Sequence, residues 1–310
     1  MSTSRAQIAG FIHSSGEVST LPGGKLKIRK GGVALAVLTA AALALSACGG
    51  GSTSEPTAAE AEAAGDVTDG QMTVSVGWNQ PFFSMNMLTS SGNATANANI
   101  LYLTQSSFNY YDGDLNLVPQ TDFGTYERIS EDPLVVQYTI NEGVQWSDGT
   151  PVGAADLILY WGAQNDAFDN VEPEYDPETG DITNQDALDA GVYFDGSSVA
   201  MNLISEFPEI SEDGRTVTFT YDQPRSDWEA SIGMGVPAHV VAAHALDIAD
   251  PAEGQQAIID AFRNNDVAAL SPIARFWNSG FDFTSLPDDP SLYLSSGPYI
   301  LNEFVENEYL

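Results

Sequence analysis

The sequence predicts an α/β fold, and three observations carry that reading. Leu134, Val136, Tyr138 and Ile140 alternate with Val135, Gln137 and Thr139, the period-two pattern of a strand with one buried face. Val144 and Trp146 then continue the apolar alternation as a second short strand, closed by the turn Ser147-Asp148-Gly149 and stopped by Pro151. Immediately afterwards Gly153 can cap a helix, Asp156 falls in its first turn where the dipole favours an acid, and Leu157, Ile158 and Trp161 form a buried stripe. So many local signals in agreement mark scaffold, and Trp146 is expected in the core.

The N-terminal part reads as targeting rather than fold. Residues 1–24 fit no targeting pattern and form an extension of unclear status, consistent with a mis-assigned start. Lys25, Lys27, Arg29 and Lys30 make a positive region, and an apolar run of Ala, Leu and Val follows from Val33 to Leu45. That run is too short to span a membrane as a mature helix, so residues 25–48 are read as a signal peptide. It ends in Leu45-Ser46-Ala47-Cys48, which resembles a bacterial lipobox. The resemblance implies cleavage before Cys48, diacylation of its thiol and a protein anchored by lipid to the extracytoplasmic face of the membrane. Cys48 is the only cysteine, so no internal disulfide is possible. Residues 49–70 are rich in Gly, Ser, Thr, Ala and Glu and are expected to be a flexible tether.

Residues 71–310 are read as the globular part. Met72, Val74, Val76 and Trp78 alternate as a first strand, and a loop through Pro81 leaves its end. Residues 93–99 are polar and read as poorly structured, whereas Ile100, Leu101, Leu103 and Phe108 suggest a short helix. Tyr110-Tyr111-Asp112-Gly113-Asp114 is a turn leading to a strand through Leu117 and Val118. Residues 166–195 are strongly acidic. Asp176, Glu178 and Asp181 offer oxygens, but without the Asp-x-Asp-x-Asp-Gly order of a calcium loop they are read as a solvated loop. The apolar residues 199–204 are read as β-structure, and Asp213-Gly214 as a hairpin turn into Val217, Phe219 and Tyr221. Helices are expected through His244 and over residues 255–264. Ile273, Phe276 and Trp277 could face either a cleft or the core.

Four of these stretches are similar to one family: the extracytoplasmic solute-binding proteins of ABC transporters, family 5, which includes dipeptide and oligopeptide binders. They are Tyr110-Tyr111-Asp112-Gly113-Asp114 with its following strand, the run Gly143-Val144-Gln145-Trp146-Ser147-Asp148-Gly149-Thr150-Pro151-Val152, Pro237-Ala238-His239-Val240, and Ser295-Ser296-Gly297-Pro298-Tyr299-Ile300-Leu301, read as a strand. The family usually caps the helix with Thr or Ser where this chain has Gly153. The resemblance implies a periplasmic-binding-protein-like fold of type II, with mixed sheets flanked by helices, and it covers only the first half of such a fold. A turn at Glu306-Asn307 would begin a return strand. The resemblance also implies that the loop after the first strand lines the cleft, which makes Trp78, Asn79, Phe82 and Phe83 contact candidates, although these aromatics could equally be core.

Charge narrows the function. Of ten Lys and Arg residues, five precede Cys48 and the five that follow are all arginines, against 42 of the 43 acids. Five scattered arginines among so many acids make no basic surface to displace counterions from phosphates, which argues against nucleic acid as a partner. The acidity itself reads as solubility, or as preference for a cationic ligand. His239 and His244 stand five apart with no Gly-x-Ser-x-Gly or His-Glu-x-x-His near them, and are read as structural. The expectation is therefore a binder rather than an enzyme, without cofactor or metal, taking a peptide or other small solute and delivering it to an ABC permease. The rivals are a secreted carbohydrate-active enzyme using two of the carboxylates and a non-functional fragment of a binding protein.

Overall fold

The computed structural model describes residues 80–304. The extension, the signal segment with Cys48, the tether, the first strand with Trp78 and Asn79, and the turn at Glu306-Asn307 lie outside the described residues. In chain order the described elements are α1 (Thr95–Thr104), the hairpin β1 (Asn109–Tyr111) and β2 (Leu117–Pro119), β3 (Gly124–Glu131), β4 (Leu134–Ile140), α2 (Ala154–Gly162) and α3 (Gln185–Ala190). Then follow β5 (Glu209–Ile210), β6 (Thr216–Tyr221), α4 (Ala238–Leu246), α5 (Pro251–Arg263) and α6 (Val267–Ser279).

The strand expected at Leu134 to Ile140 is β4, and it forms the middle of a sheet ordered β3-β4-β6-β5. Each ladder among the described residues is antiparallel. Register places Leu134 opposite Tyr221, Val136 opposite Phe219 and Tyr138 opposite Val217, so one face of both strands is wholly apolar and wholly buried. The other face carries a polar ladder, with Gln137 Nε2 donating to Thr218 Oγ1 at 3.2 Å and the Thr139 and Thr216 hydroxyls 3.0 Å apart. Tyr138 anchors the buried face. Its ring meets Phe108 and Phe219 edge-on at 5.0 and 5.8 Å, and its hydroxyl donates to Trp228 O at 3.0 Å.

Helices cover this sheet on one side. α2 packs against β6, α4 and α5, and α4 packs against α5 and α6. α5 begins where Asp250 accepts from Ala252 N and Glu253 N and Pro251 takes the first helical position, so it starts four residues before the expected Gln255. The Asp213-Gly214 hairpin is as expected, with Gly214 at φ +67°.

Four local expectations are corrected. Val144 to Trp146 is no strand but a single bridge, Gln145 to Pro151, because the turn doubles back at once and Pro151 has no N–H to extend a ladder. α1 begins inside the stretch read as unstructured. Its polar Asn97 is fully buried, accepting from Phe83 N and Ser84 N and donating to Gly92 O, and Phe108 lies beyond the helix. The apolar residues 199–204 fold as a short 3-10 turn at Met201–Leu203 rather than as β-structure, burying Met201 and Ile204. The Gly-Pro-Tyr stretch is irregular, with Tyr299 and Ile300 at 37% and 57% exposure. Its ties run to the end of α1, where Ser296 N and Gly297 N both donate to Thr104 O.

Candidate functional site

Two polar features stand out from the apolar core, and the first lies where the turn of residues 147–150 meets α2 and α4. Gly149 at φ +90° lets the chain reverse so that Trp146 N donates to Thr150 O at 2.8 Å. Asp148 thereby points back at its own turn, accepting from Thr150 N and Thr150 Oγ1 at 2.9 and 3.1 Å, while His239 Nε2 meets Asp148 Oδ2 at 2.9 Å. Partial burial pushes the Asp148 carboxyl up, but the Thr150 and His239 hydrogen bonds outweigh it and hold the group below the ordinary carboxylate value. Asp156 sits beneath, fully buried. One of its oxygens accepts from Gly153 N and the other from Ala238 N, each at 2.9 Å, so a single carboxylate closes the N-termini of α2 and α4 together. Burial pushes its pKa up against the pull of those two N–H groups. Trp146 Nε1 lies near this carboxylate but outside hydrogen-bond geometry.

This arrangement is a clamp and does not form a catalytic dyad. A general base needs its second ring nitrogen to face a substrate or nucleophile, whereas His239 Nδ1 is buried and has no partner among the described residues. The structural reading of the histidines agrees with this geometry. An open notch of about 420 Å³ beside the clamp is rimmed by Asp148, Asp250 and Gln255, and Gln255 Nε2 donates to Pro151 O at 2.9 Å. In the acidic loop Asp176 Oδ1 accepts from Glu178 N and Thr179 N, which ties the loop to itself. Among the described residues no three acids or histidines gather as metal ligands would, and no helix is long and apolar enough to cross a membrane.

The second feature is a wall at residues 232–236, the irregular segment leading into α4, half-buried at Gly233 to Gly235 between buried Ile232 and Val236. Gly233 and Gly235 bring its backbone beside side chains from other segments. A Cβ at Gly233 would lie 3.5 Å from Tyr160 Oη and 3.8 Å from Ser107 Oγ, and one at Gly235 would lie 3.2 Å from Leu88 Cδ1. The wall thus joins the loop of residues 80–88, the end of α1's connection at Ser107, α2 through Tyr160, and the Gly-Met-Gly backbone. Leu88 and Met234 are half-buried there, beside the Tyr160 and Ser107 side chains.

Of the contact candidates, Phe82 is core: it is 1% exposed, with Phe283 and Phe304 edge-on at 5.8 and 6.0 Å, and has no surface for a ligand. Phe83 is half-buried beside it, its carbonyl accepting from Phe283 N at 2.9 Å. Ile273 and Trp277 lie buried on α6, and Phe276 lies half-buried under His244. The sequence reading named none of Tyr160, Gly233 and Gly235, which meet at this wall. The available signal was the pair of glycines inside the apolar run Ile232 to Val236, a composition that marks close approach of another group to the backbone.

Comparison with known proteins decides the family. Residues 119–310 match the model of bacterial extracellular solute-binding proteins, family 5 Middle. The chain belongs to this family. The family is described by the binding of solutes. The chain is 29% identical over 228 residues to an uncharacterized lipoprotein of Mycobacterium tuberculosis, covering 72% of this chain and 35% of that one. It is likewise 29% identical over 273 residues to an uncharacterized lipoprotein of Mycobacterium leprae, covering 86% and 40%. The chain thus spans 35 to 40% of the length of these relatives. Among solved structures, the periplasmic EDTA-binding protein EppA superposes with a TM-score of 0.50 at 23% identity, over 74% of this chain and 33% of that one. That similarity speaks to the fold, an α/β binding-protein architecture of type II.

Proposed function

We propose that this family 5 protein is the lipid-anchored solute-binding component of an ABC importer, working on the extracytoplasmic face of the membrane and handing a peptide or other small solute to a permease. The observation that carries the reading is the family match over residues 119–310 on this fold. The named lipoprotein relatives and the order of basic region, short apolar run and Cys48 support the anchor. In this reading the wall at Gly233-Met234-Gly235, Tyr160 and Leu88 contributes one side of the ligand site. Glycine backbone suits an extended peptide, whose main chain can come close enough to hydrogen-bond.

Calorimetric titration of the purified protein with tri- to pentapeptides and with a panel of sugars tests the binding. Saturable heat with the ligand recovered unaltered supports the proposal; hydrolysis of a glycoside, or heat from none of these solutes, contradicts it. The anchor has its own test. Cys48→Ser should move the protein from the membrane to the soluble fraction and abolish fatty-acid labelling, and a variant that stays membrane-bound would rule out Cys48 as the anchor.

A further inference from the structure

The described residues contain five arginines, two histidines and no lysine. Each arginine ion pair among them is local: Arg128 with Glu131, Arg215 with Asp213, Arg225 with Asp227 and Arg263 with Asp260. The ion pairs that join distant parts of the described chain are both made by histidine. His239 Nε2 lies 2.9 Å from Asp148 Oδ2, and His244 Nε2 lies 3.2 Å from Asp289 Oδ2. Both rings stand on α4, about 140° apart around its axis, and so leave on different flanks. One reaches the turn of residues 147–150. The other reaches the 3-10 segment Pro290–Tyr293, where Ser291 Oγ is 3.3 Å from the same nitrogen.

We propose that α4 carries a two-sided latch that mild acid engages: with both rings cationic it is tied by charge to the turn on one flank and to the 290–293 segment on the other. The rings are placed for it. His244 stacks on Phe276 of α6 at 4.7 Å with the planes 4° apart, which fixes its nitrogen toward Asp289. His239 is 6% exposed, and the groups facing it are Asp148 from the turn and Asp156 from α2, with Asp250 at the rim of the adjoining notch and Gly254 of α5 against its backbone. All the charged groups around it are acids. Because ionised Asp148 only accepts, Nε2 carries the proton in either state, and the second proton goes to buried Nδ1, which has no acceptor among the described residues, so the charge on that ring is held by Asp148 across Nε2.

The sign follows from the two partners. Protonation makes the histidine cation and ionisation the aspartate anion, so the charged pairs have a lower limit where the carboxyls take up protons and lose their cation as pH rises. The carboxyls of Asp148 and Asp289 are both held below the ordinary value, which keeps the lower limit from encroaching. The inference rests on these pairs alone and stands apart from ligand identity.

Thermal unfolding of the full chain and of His239→Gln, His244→Gln and the double variant, at pH 5.5 and pH 8, tests it. General loss of carboxylate repulsion on acidification is common to all four proteins and cancels in the differences. At pH 5.5 His244→Gln should melt about 2 to 4 °C below wild type, with the double variant lower again, and at pH 8 the His244→Gln deficit should vanish. Equal deficits at both pH values would overturn the latch, as would no deficit at pH 5.5. Should buried His239→Gln fail to fold, His244→Gln decides together with Asp289→Asn, which must reproduce its pH dependence.

Discussion

Asp156 shows how much one side chain can hold. Its carboxylate satisfies N–H groups at the starts of two helices, Gly153 N and Ala238 N, in a place water does not reach. Asp156→Ala leaves both donors unpaired and should cost about 2 to 5 kcal/mol, measured as a fall in the denaturant midpoint at constant m-value. Asp169 shows what burial does to a carboxyl with fewer donors. Burial, with Asp166 and Glu172 nearby, outweighs its bond from Phe194 N and pushes its pKa up to about 6. A raised acid stabilises the fold fully below its unfolded value, and that contribution is lost as pH rises toward 6. Asp169→Asn keeps an oxygen for Phe194 N and cannot ionise. It should melt above wild type at pH 7.5 and together with it at pH 4, and a variant less stable at pH 7.5 would contradict this account.

At the scale of elements, the turn after Trp146 sets both the scaffold and the clamp. Gly149→Ala should cost about 1 kcal/mol, because φ +90° is strained for any side chain although nothing crowds the site. Trp146→Ala empties a fully buried position and should cost about 3 to 5 kcal/mol. If it lowered ligand affinity at unchanged melting temperature, Trp146 would belong to the ligand site instead. These elements were legible because pattern and environment coincide: β4 alternates since one of its faces is buried and the other wet. Elsewhere they part. α1 starts early because Asn97 is buried through hydrogen bonds that hydropathy does not register. α6 hides its helical period behind Pro272, and residues 199–204 are apolar without being extended, since Met201 and Ile204 reach the core from a turn. The Gly-Pro-Tyr stretch lacks a described partner strand, so its sequence pattern finds no ladder.

At the scale of the molecule, the family was readable from four short stretches, whereas the candidate wall was not, since Leu88, Ser107, Tyr160 and Gly233 to Gly235 are brought together only by folding. The central claim is that this chain binds a solute at that wall. Hydrogen exchange measured by mass spectrometry, with and without millimolar tri- to pentapeptides, addresses it most directly. The account predicts slowed exchange confined to residues 80–88 and 232–236, with the peptides recovered intact. Protection centred on the notch beside Asp148, or peptides recovered cleaved, would contradict it.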